Sequence, residues 1–358
     1  MAEAAISEEQ AREALNTGTK EVAETHRFDE GRLADWMAGH VEGFSGPVEV
    51  RQFKGGQSNP TYELTTAARK YVMRRKPPGK LLPSAHAVDR EFRVISALFP
   101  TGFPVPRPYA LCEDDAVIGT TFYIMDKVEG RILWDQSLPT YAPAERHALH
   151  MAALRTLADL HNTDYAAVGL SDFGRPGNYM LRQISRWTKQ YKASETRHID
   201  EVERLIEWLP ASVPDDDQTT IVHADYRMDN EIMHPTEPRV VAVLDWELAT
   251  LGNPLADFTN LLMQWVNGTV AAIEDKKAYG IPTMEEYVAE YCRLTGRSGL
   301  PDLNWYFAYN SFRLAGIVQG IIGRVRDGTA NSPQAAAMEE RVPLLAQTAW
   351  KYAKLAGA

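Results

Sequence analysis

The residues best suited to chemistry lie in two short runs. The first is His223-Ala-Asp225-Tyr-Arg227-Met-Asp-Asn230, and the second is Asp245-Trp-Glu247, which ends the apolar run Val240-Val-Ala-Val-Leu244. A carboxylate at the end of a buried strand, with a second one two residues on, puts both groups at one mouth of the core if the chain stays extended. Asp225 and Asn230 add another carboxylate and an amide oxygen from a loop. These are the hard oxygen donors that Mg²⁺ prefers. Singly, each Asp or Asn is an ordinary cap or turn former; their joint spacing makes that reading improbable.

These runs need a scaffold. Residues 1–45 read as an amphipathic helical segment, with Asp29 an N-cap before Leu33, Trp36 and Met37. After Gly46, the runs VEVRQF, TYELTT, KYVMRRK and TTFYIMDKV are β-branched or aromatic and are separated by Gly, Pro and Asn, which predicts an antiparallel sheet. One helix interrupts them. It starts near Ser84 as N-cap and carries Val88, Phe92, Ile95 and Leu98 at helical spacing until Pro100 and Gly102 stop it. From residue 142 the pattern is mainly helical, broken by the two chemical runs. The expected fold class is α+β and bilobal: a small antiparallel β-sheet lobe with one helix over residues 46–127, and a larger, mainly helical lobe over 128–358. A cleft between lobes is the natural place for a ligand. On KYVMRRK, Val72 and Arg74 share one face. Glu91 projects close to the inward stripe of the helix, where it needs a cation, and Arg74 is the candidate.

Composition narrows the partners. With 38 Lys+Arg against 48 Asp+Glu, the net charge of -10 disfavours nucleic acid and anionic membrane surfaces. Cys112 and Cys292 are far apart and belong to no metal-ligand pattern, so both are expected to be reduced packing residues. The N-terminus lacks signal-peptide character, and the longest apolar stretch, Leu314 to Gly323, is too short to span a bilayer. A cytoplasmic location is expected, and oligomeric state is left open. No Walker A, GxGxxG, GxSxG or HExxH pattern occurs. Trp134, Trp187, Trp208 and Trp265 are expected to be core anchors.

The pattern HxDxxxxN followed by a strand ending in an acidic residue resembles the catalytic loop and metal-binding aspartate of the protein-kinase-like fold. The run LDWELATLGNPLADF, with only twelve positions from Asp245 to Asp257, resembles the aminoglycoside phosphotransferase and choline kinase superfamily more than protein kinases. That resemblance implies a phosphotransferase acting on a small-molecule hydroxyl, with ATP and Mg²⁺ as cofactors. It makes Asp225 the catalytic base, Arg227 a neutraliser of charge near the transferred phosphoryl, and Asn230 and Asp245 the Mg²⁺ ligands, with Glu247 a further ligand or support. Gly55, Gly56, Gln57, Ser58 and Asn59 would cover the phosphates; Val72 would lie over adenine; Arg74, paired with Glu91, would hold phosphate; and the backbone of Asp126, Lys127 and Val128 would read the adenine edge.

His223 and Asp257 are implied to be braces of the loop. Two departures stand out: Ala224 replaces a glycine, tolerable if its φ is ordinary, and Asn253 replaces an aspartate. The stretches YVMRRKPPGKLLPSAHAVDREFRVISAL and VHADYRMDNEIMHPTEPRVVAVLDWELATLGNPLADF look most like the kinase-like domain that some proteins carry fused to an acyl-CoA dehydrogenase. That likeness, and the apolar and basic segment from Asn310 to Arg326 with Arg313 and Arg324, favour a hydroxyacyl-CoA acceptor. An aminoglycoside, choline or another small alcohol is the alternative; a silent nucleotide- or metabolite-binding module is the alternative from another class.

Overall fold

A computed structural model describes residues 17–54, 59–78, 87–216, 218–327 and 335–358. Gly55, Gly56, Gln57 and Ser58 of the expected phosphate-covering hairpin, and Ser84 of the expected helix cap, lie outside the described residues.

The N-lobe contains β1 (Thr19–Lys20), α1 (Glu30–His40), β2 (Glu49–Phe53), β3 (Thr61–Thr65), β4 (Lys70–Arg75), α2 (Val88–Leu98), β5 (Pro108–Cys112) and β6 (Phe122–Asp126). The strands form one antiparallel sheet in the order β1-β2-β3-β4-β6-β5. Two strands, β1 and β5, were not legible. β5 begins with Pro on a sheet edge and is half-buried along most of its length, so it shows no clean alternation. A one-turn helix, Asp115–Ile118, also lies between β5 and β6, so α2 is not the only helix after Gly46.

Alternation along β4 sorts its side chains as expected. Tyr71 and Met73 join Tyr62, Leu64 and Ile124 in an outer cluster that α1 covers with Leu33 and Met37. Asp29 caps α1 by accepting the Arg32 N–H at 3.0 Å. Among the described residues of the segment expected to be helical over 1–45, only Glu30–His40 is α-helical and packs on the N-lobe sheet; Thr19–Lys20 joins that sheet as strand β1, and residues 1–16 lie outside the described residues. Val72 points the other way, into a core with Ile95 and Leu98 of α2, Tyr123 and Met125 of β6, and the C-lobe helices. α2 begins at Val88 with Ala87 as a cap that makes no side-chain bond, in place of the expected start near Ser84.

The C-lobe contains α3 (Pro143–Asn162), α4 (Tyr179–Ser194), α5 (Asp200–Ala211), β7 (Thr220–Val222), β8 (Glu231–Met233), β9 (Val240–Val243), β10 (Thr250–Gly252), α6 (Pro254–Leu261), α7 (Met284–Thr295), α8 (Leu303–Arg326) and α9 (Ala335–Leu355). Two antiparallel ribbons, β7 with β10 and β8 with β9, carry the chemical runs on their connections. Glycines on α8 let α4 approach closely: a Cβ at Gly323 would come within 2.6 Å of the Ser194 Cβ. Among the described residues, no helix is long and apolar enough to cross a membrane.

Candidate active site

The connection from β7 to β8 is held by a buried carboxylate. Asp257 of α6, 1 % exposed, accepts the N–H of His223 at 2.6 Å on Oδ2 and the N–H of Ala224 at 2.8 Å on Oδ1. Holding both N–H groups on one carboxylate turns the backbone sharply, and Ala224 sits at φ +65°. The ordinary φ expected there is thus overturned: this is the left-handed region that favours glycine, and an L-residue in it carries strain of about 1–2 kcal/mol. The carbonyl of Ala224 accepts a bond from the Arg313 guanidinium.

His223 is fully buried; its Nε2–H donates to the Leu244 carbonyl at 2.8 Å, and its Nδ1 accepts the Asp225 N–H at 3.3 Å. Both ring nitrogens serve the backbone, so the imidazole ties the loop to the end of the β9 strand. Asn253 caps α6 by accepting the Leu255 N–H at 2.8 Å.

The amide of Asn230 donates to the Asp225 carbonyl at 2.9 Å and to its Oδ2 at 3.2 Å, which orients the Asp225 carboxylate. The Leu244 N–H donates to the Asn230 carbonyl at 2.8 Å, bringing residue 230 beside the start of the Asp245 run. Asp245, 36 % exposed in its side chain, has φ +66° and aims its carboxylate toward the N-lobe. There Arg74 donates to Asp245 Oδ1 at 3.0 Å and pairs with Glu91 Oε2 at 3.1 Å. Glu91, 1 % exposed, also accepts the Tyr123 hydroxyl at 3.1 Å and the Asn59 amide at 2.9 Å. The Asn59 amide reaches Glu247 Oε2 at 3.3 Å. Burial opposes the charge on Arg74, but Glu91, Tyr123 and Asp245 outweigh it and raise its pKa. Arg227 pairs with Asp229 Oδ2 at 3.2 Å and lies 3.6 Å from Asp225 Oδ1; burial lowers its pKa, and the surrounding aspartates more than compensate.

Two cavities flank this loop. One, of about 480 Å³, lies under the sheet and is lined by Val72, Arg74, Met125 and the hinge from Asp126 to Val128, with Asn230 and Asp245 at its polar end. The Asp126 N–H already donates to the Arg107 carbonyl at 2.9 Å, and its carboxylate accepts the Tyr109 hydroxyl, while Lys127 pairs with Glu63 and Glu129. The Asp126 N–H and the side chains of Asp126 and Lys127 are therefore committed, which leaves the other backbone groups of the hinge to meet a ligand. The other cavity, of about 750 Å³, opens beside Ala224 and Glu247. Four arginines line it, Arg90, Arg186, Arg313 and Arg324, against the carboxylates of Glu247 and Asp257.

The structure thus brings Asn59, Arg74, Glu91, Asp225, Arg227, Asn230, Asp245 and Glu247 into one polar cluster. Sequence reasoning missed Arg90 and Arg186, and it read Trp134 as a core anchor although that ring is half-buried and lines the cavity under the sheet; Trp187 is a core anchor as expected and also lines the other cavity. The spacing of Gln183, Arg186 and Trp187 on one helix face was the available signal.

The phosphotransferase enzyme family matches residues 49–291. Acyl-CoA dehydrogenase family member 11 of Gallus gallus is 43% identical over 354 residues, covering 95% of this chain and 45% of that protein. A crystal structure of a Ralstonia eutropha protein, which bears an aminoglycoside phosphotransferase name, superposes with a TM-score of 0.84 at 51% identity, covering 92% of this chain and 99% of that one. An aminoglycoside phosphotransferase solved with ADP and hygromycin B shares the fold at a TM-score of 0.56 and 19% identity, covering 89% and 98% of the two chains. The chain belongs to the phosphotransferase enzyme family. It also matches the kinase-like part of acyl-CoA dehydrogenase family members 10 and 11, and it spans less than half the length of those relatives.

Proposed function

We propose that the chain transfers the γ-phosphate of ATP to a hydroxyl of a small molecule, and that this acceptor is a hydroxyacyl thioester such as a hydroxyacyl-CoA. The observation that carries the reading is the path of one loop between two cavities. Ala224 lines the arginine-rich cavity and Asn230 lines the cavity under the sheet, with Asp225 between them.

In this reading the lobes 46–127 and 128–358 clasp the nucleotide. The adenine lies under Val72 and against the backbone of Asp126 to Val128; Gly55, Gly56, Gln57, Ser58 and Asn59 cover the phosphates, and Arg74, held by Glu91, contacts them. Asn230, Asp245 and Glu247 offer the hard oxygens that suit Mg²⁺. The Asn230 amide nitrogen is engaged with Asp225, which leaves its oxygen for a cation. When bound, the ion supplies neutralisation of phosphate charge. Asp225, oriented by Asn230, accepts the hydroxyl proton of the acceptor. Arg227 adds positive charge beside it. Rate enhancement then comes from positioning and from fixed charges aimed at a loose transition state.

The acceptor reading is supported by the excess of arginine in the larger cavity, which would repel a polycationic aminoglycoside, and by the acyl-CoA dehydrogenase names of the relatives. The test is ATP consumption by the full chain with hydroxyacyl-CoAs, choline, sugars and aminoglycosides. Asp225→Ala is expected to lower kcat by about 10³-fold or more with little change in affinity for ATP. Turnover that survives the substitution overturns the mechanism. Stabilisation by Mg²⁺-ATP without turnover on any acceptor would point to a silent binding module.

A further inference from the structure

The larger cavity holds more positive charge than the loop beside it requires. Arg90 donates to the Phe173 and Ala249 carbonyls, and Arg313 to the Ala224 carbonyl and Asn260, so these two are structural props. Arg186 of α4, whose guanidinium lies 5.3 Å from the centre of the Trp187 ring, and Arg324 of α8 come from separate helices, are both exposed, and line the same cavity. The glycine contacts that draw α8 onto α4 are what bring them to one cavity. Gly316 lies against Trp187, Gly320 against Gln190 and Gly323 against Ser194, one contact after another along the crossing. With four arginines against the two carboxylates of Glu247 and Asp257, the lining is positive on balance, which favours an anion with several oxygens.

A second observation points to the same ligand. Asn310 of α8 is buried, lines this cavity, and donates its amide to Thr259 Oγ1 at 2.9 Å, which fixes its orientation. Its Oδ1 is buried without a hydrogen-bond partner. A buried carbonyl oxygen left unpaired costs about 1–3 kcal/mol, a penalty that a ligand N–H or O–H would remove. One lining thus offers exposed cations and a buried acceptor atom.

We infer that Arg186 and Arg324 form an anion clamp that selects acceptors carrying a phosphate or diphosphate on the arm opposite the reacting hydroxyl, while Asn310 takes a hydrogen bond from an N–H or O–H of that arm. This deepens the hydroxyacyl-thioester reading and rests on it: the clamp holds the phosphorylated end, and the hydroxyl reaches the loop at Ala224 and Asp225. Guanidinium forks match phosphate oxygens two at a time, so the contact carries geometry as well as charge.

The experiment is calorimetric titration of the full chain with its nucleotide side saturated by Mg²⁺-ADP. Coenzyme A, pantetheine, inorganic pyrophosphate and succinate are the probes, and R186Q/R324Q and R186K/R324K are the variants. Coenzyme A is expected to bind the natural chain and to lose about tenfold or more in affinity in R186Q/R324Q, with a smaller loss in R186K/R324K. Pantetheine, which lacks phosphate, should bind weakly and equally to all three. Unchanged affinity for ADP establishes that the variants are folded. Equal binding of coenzyme A to the natural chain and R186Q/R324Q overturns the clamp, as does pantetheine binding as tightly as coenzyme A. Succinate competing as well as pyrophosphate overturns the assignment to phosphate. The outcome is separable from the phosphotransfer reading: arginine-dependent coenzyme A binding without phosphorylation of any hydroxyacyl-CoA would sink the reaction and keep the clamp. Phosphorylation with arginine-independent binding would do the reverse.

Discussion

Asp257→Asn isolates the brace on which the loop depends. The carboxylate uses both oxygens as acceptors, for the His223 N–H at 2.6 Å and the Ala224 N–H at 2.8 Å, and is 1 % exposed. An asparagine keeps one acceptor and turns an NH₂ toward the other N–H, donor against donor. The change removes one charge-assisted bond, worth about 1.5–3 kcal/mol, and leaves a buried N–H without a partner at about 1–3 kcal/mol. These terms overlap, and relief of burying a charge offsets part of them, so the net loss expected is about 2–4 kcal/mol. Urea unfolding of the two proteins side by side reads this directly. Because residue 225 follows the disturbed amides, kcat should fall by about 10²-fold at temperatures where the variant is folded. An unfolding free energy within about 0.5 kcal/mol of the natural chain, the scatter of an ordinary surface change, would refute the brace. So would a destabilised variant with unchanged kcat.

Three further outcomes are expected. Arg74→Ala should raise the KM for ATP by about tenfold or more, since Arg74 faces the cleft, whereas Arg75→Ala should instead lower stability, since Arg75 is buried against the rings of Phe28 and Tyr62; equal effects on KM would mean the faces of β4 are misassigned. Ala224→Gly relieves the φ of +65° but gives the unfolded chain more freedom, so a gain of up to about 1 kcal/mol in thermal or urea unfolding is expected, and a loss would show the left-handed turn carries no strain. Burial pushes His150, whose Nε2–H donates to the Gln136 carbonyl, down to about 4. The unfolded chain takes up that proton near its ordinary value of about 6.5, so the stability it contributes is present above that pH and is lost as pH falls toward 4: about 2 kcal/mol at pH 5. Urea unfolding at the two pH values checks this, and His150→Gln should flatten the difference.

The loop that carries Asp225 and Asn230 was legible because the oxygen donors lie within a few positions of one another on two connections, and the Arg74–Glu91 pair followed from strand alternation plus a helix stripe. The backbone at Ala224 was not: an alanine suggests an ordinary φ, and only the demand of Asp257 for two successive N–H groups shows why the chain turns left-handed there. The arginine-lined cavity was half-visible. Arg313 and Arg324 sit in one basic run, but Arg90 and Arg186 enter from helices more than a hundred residues upstream, and no local pattern encodes such a convergence. β5, an edge strand opening on Pro108, lacked the alternation by which strands announce themselves.

The cover of α1 on the outer sheet face bears on how the chain can be divided. Similarity to the phosphotransferase family begins at residue 49. A fragment cut there would keep every group of the polar cluster, yet it would lose Leu33 and Met37 and bare a contiguous apolar surface of Val50, Tyr62, Leu64, Tyr71 and Met73. A surface of that kind on strands invites self-association. The boundary that family likeness draws is therefore not the boundary of the unit that folds: the autonomous unit must start upstream of Asp29, and fusion partners or truncations belong before that cap.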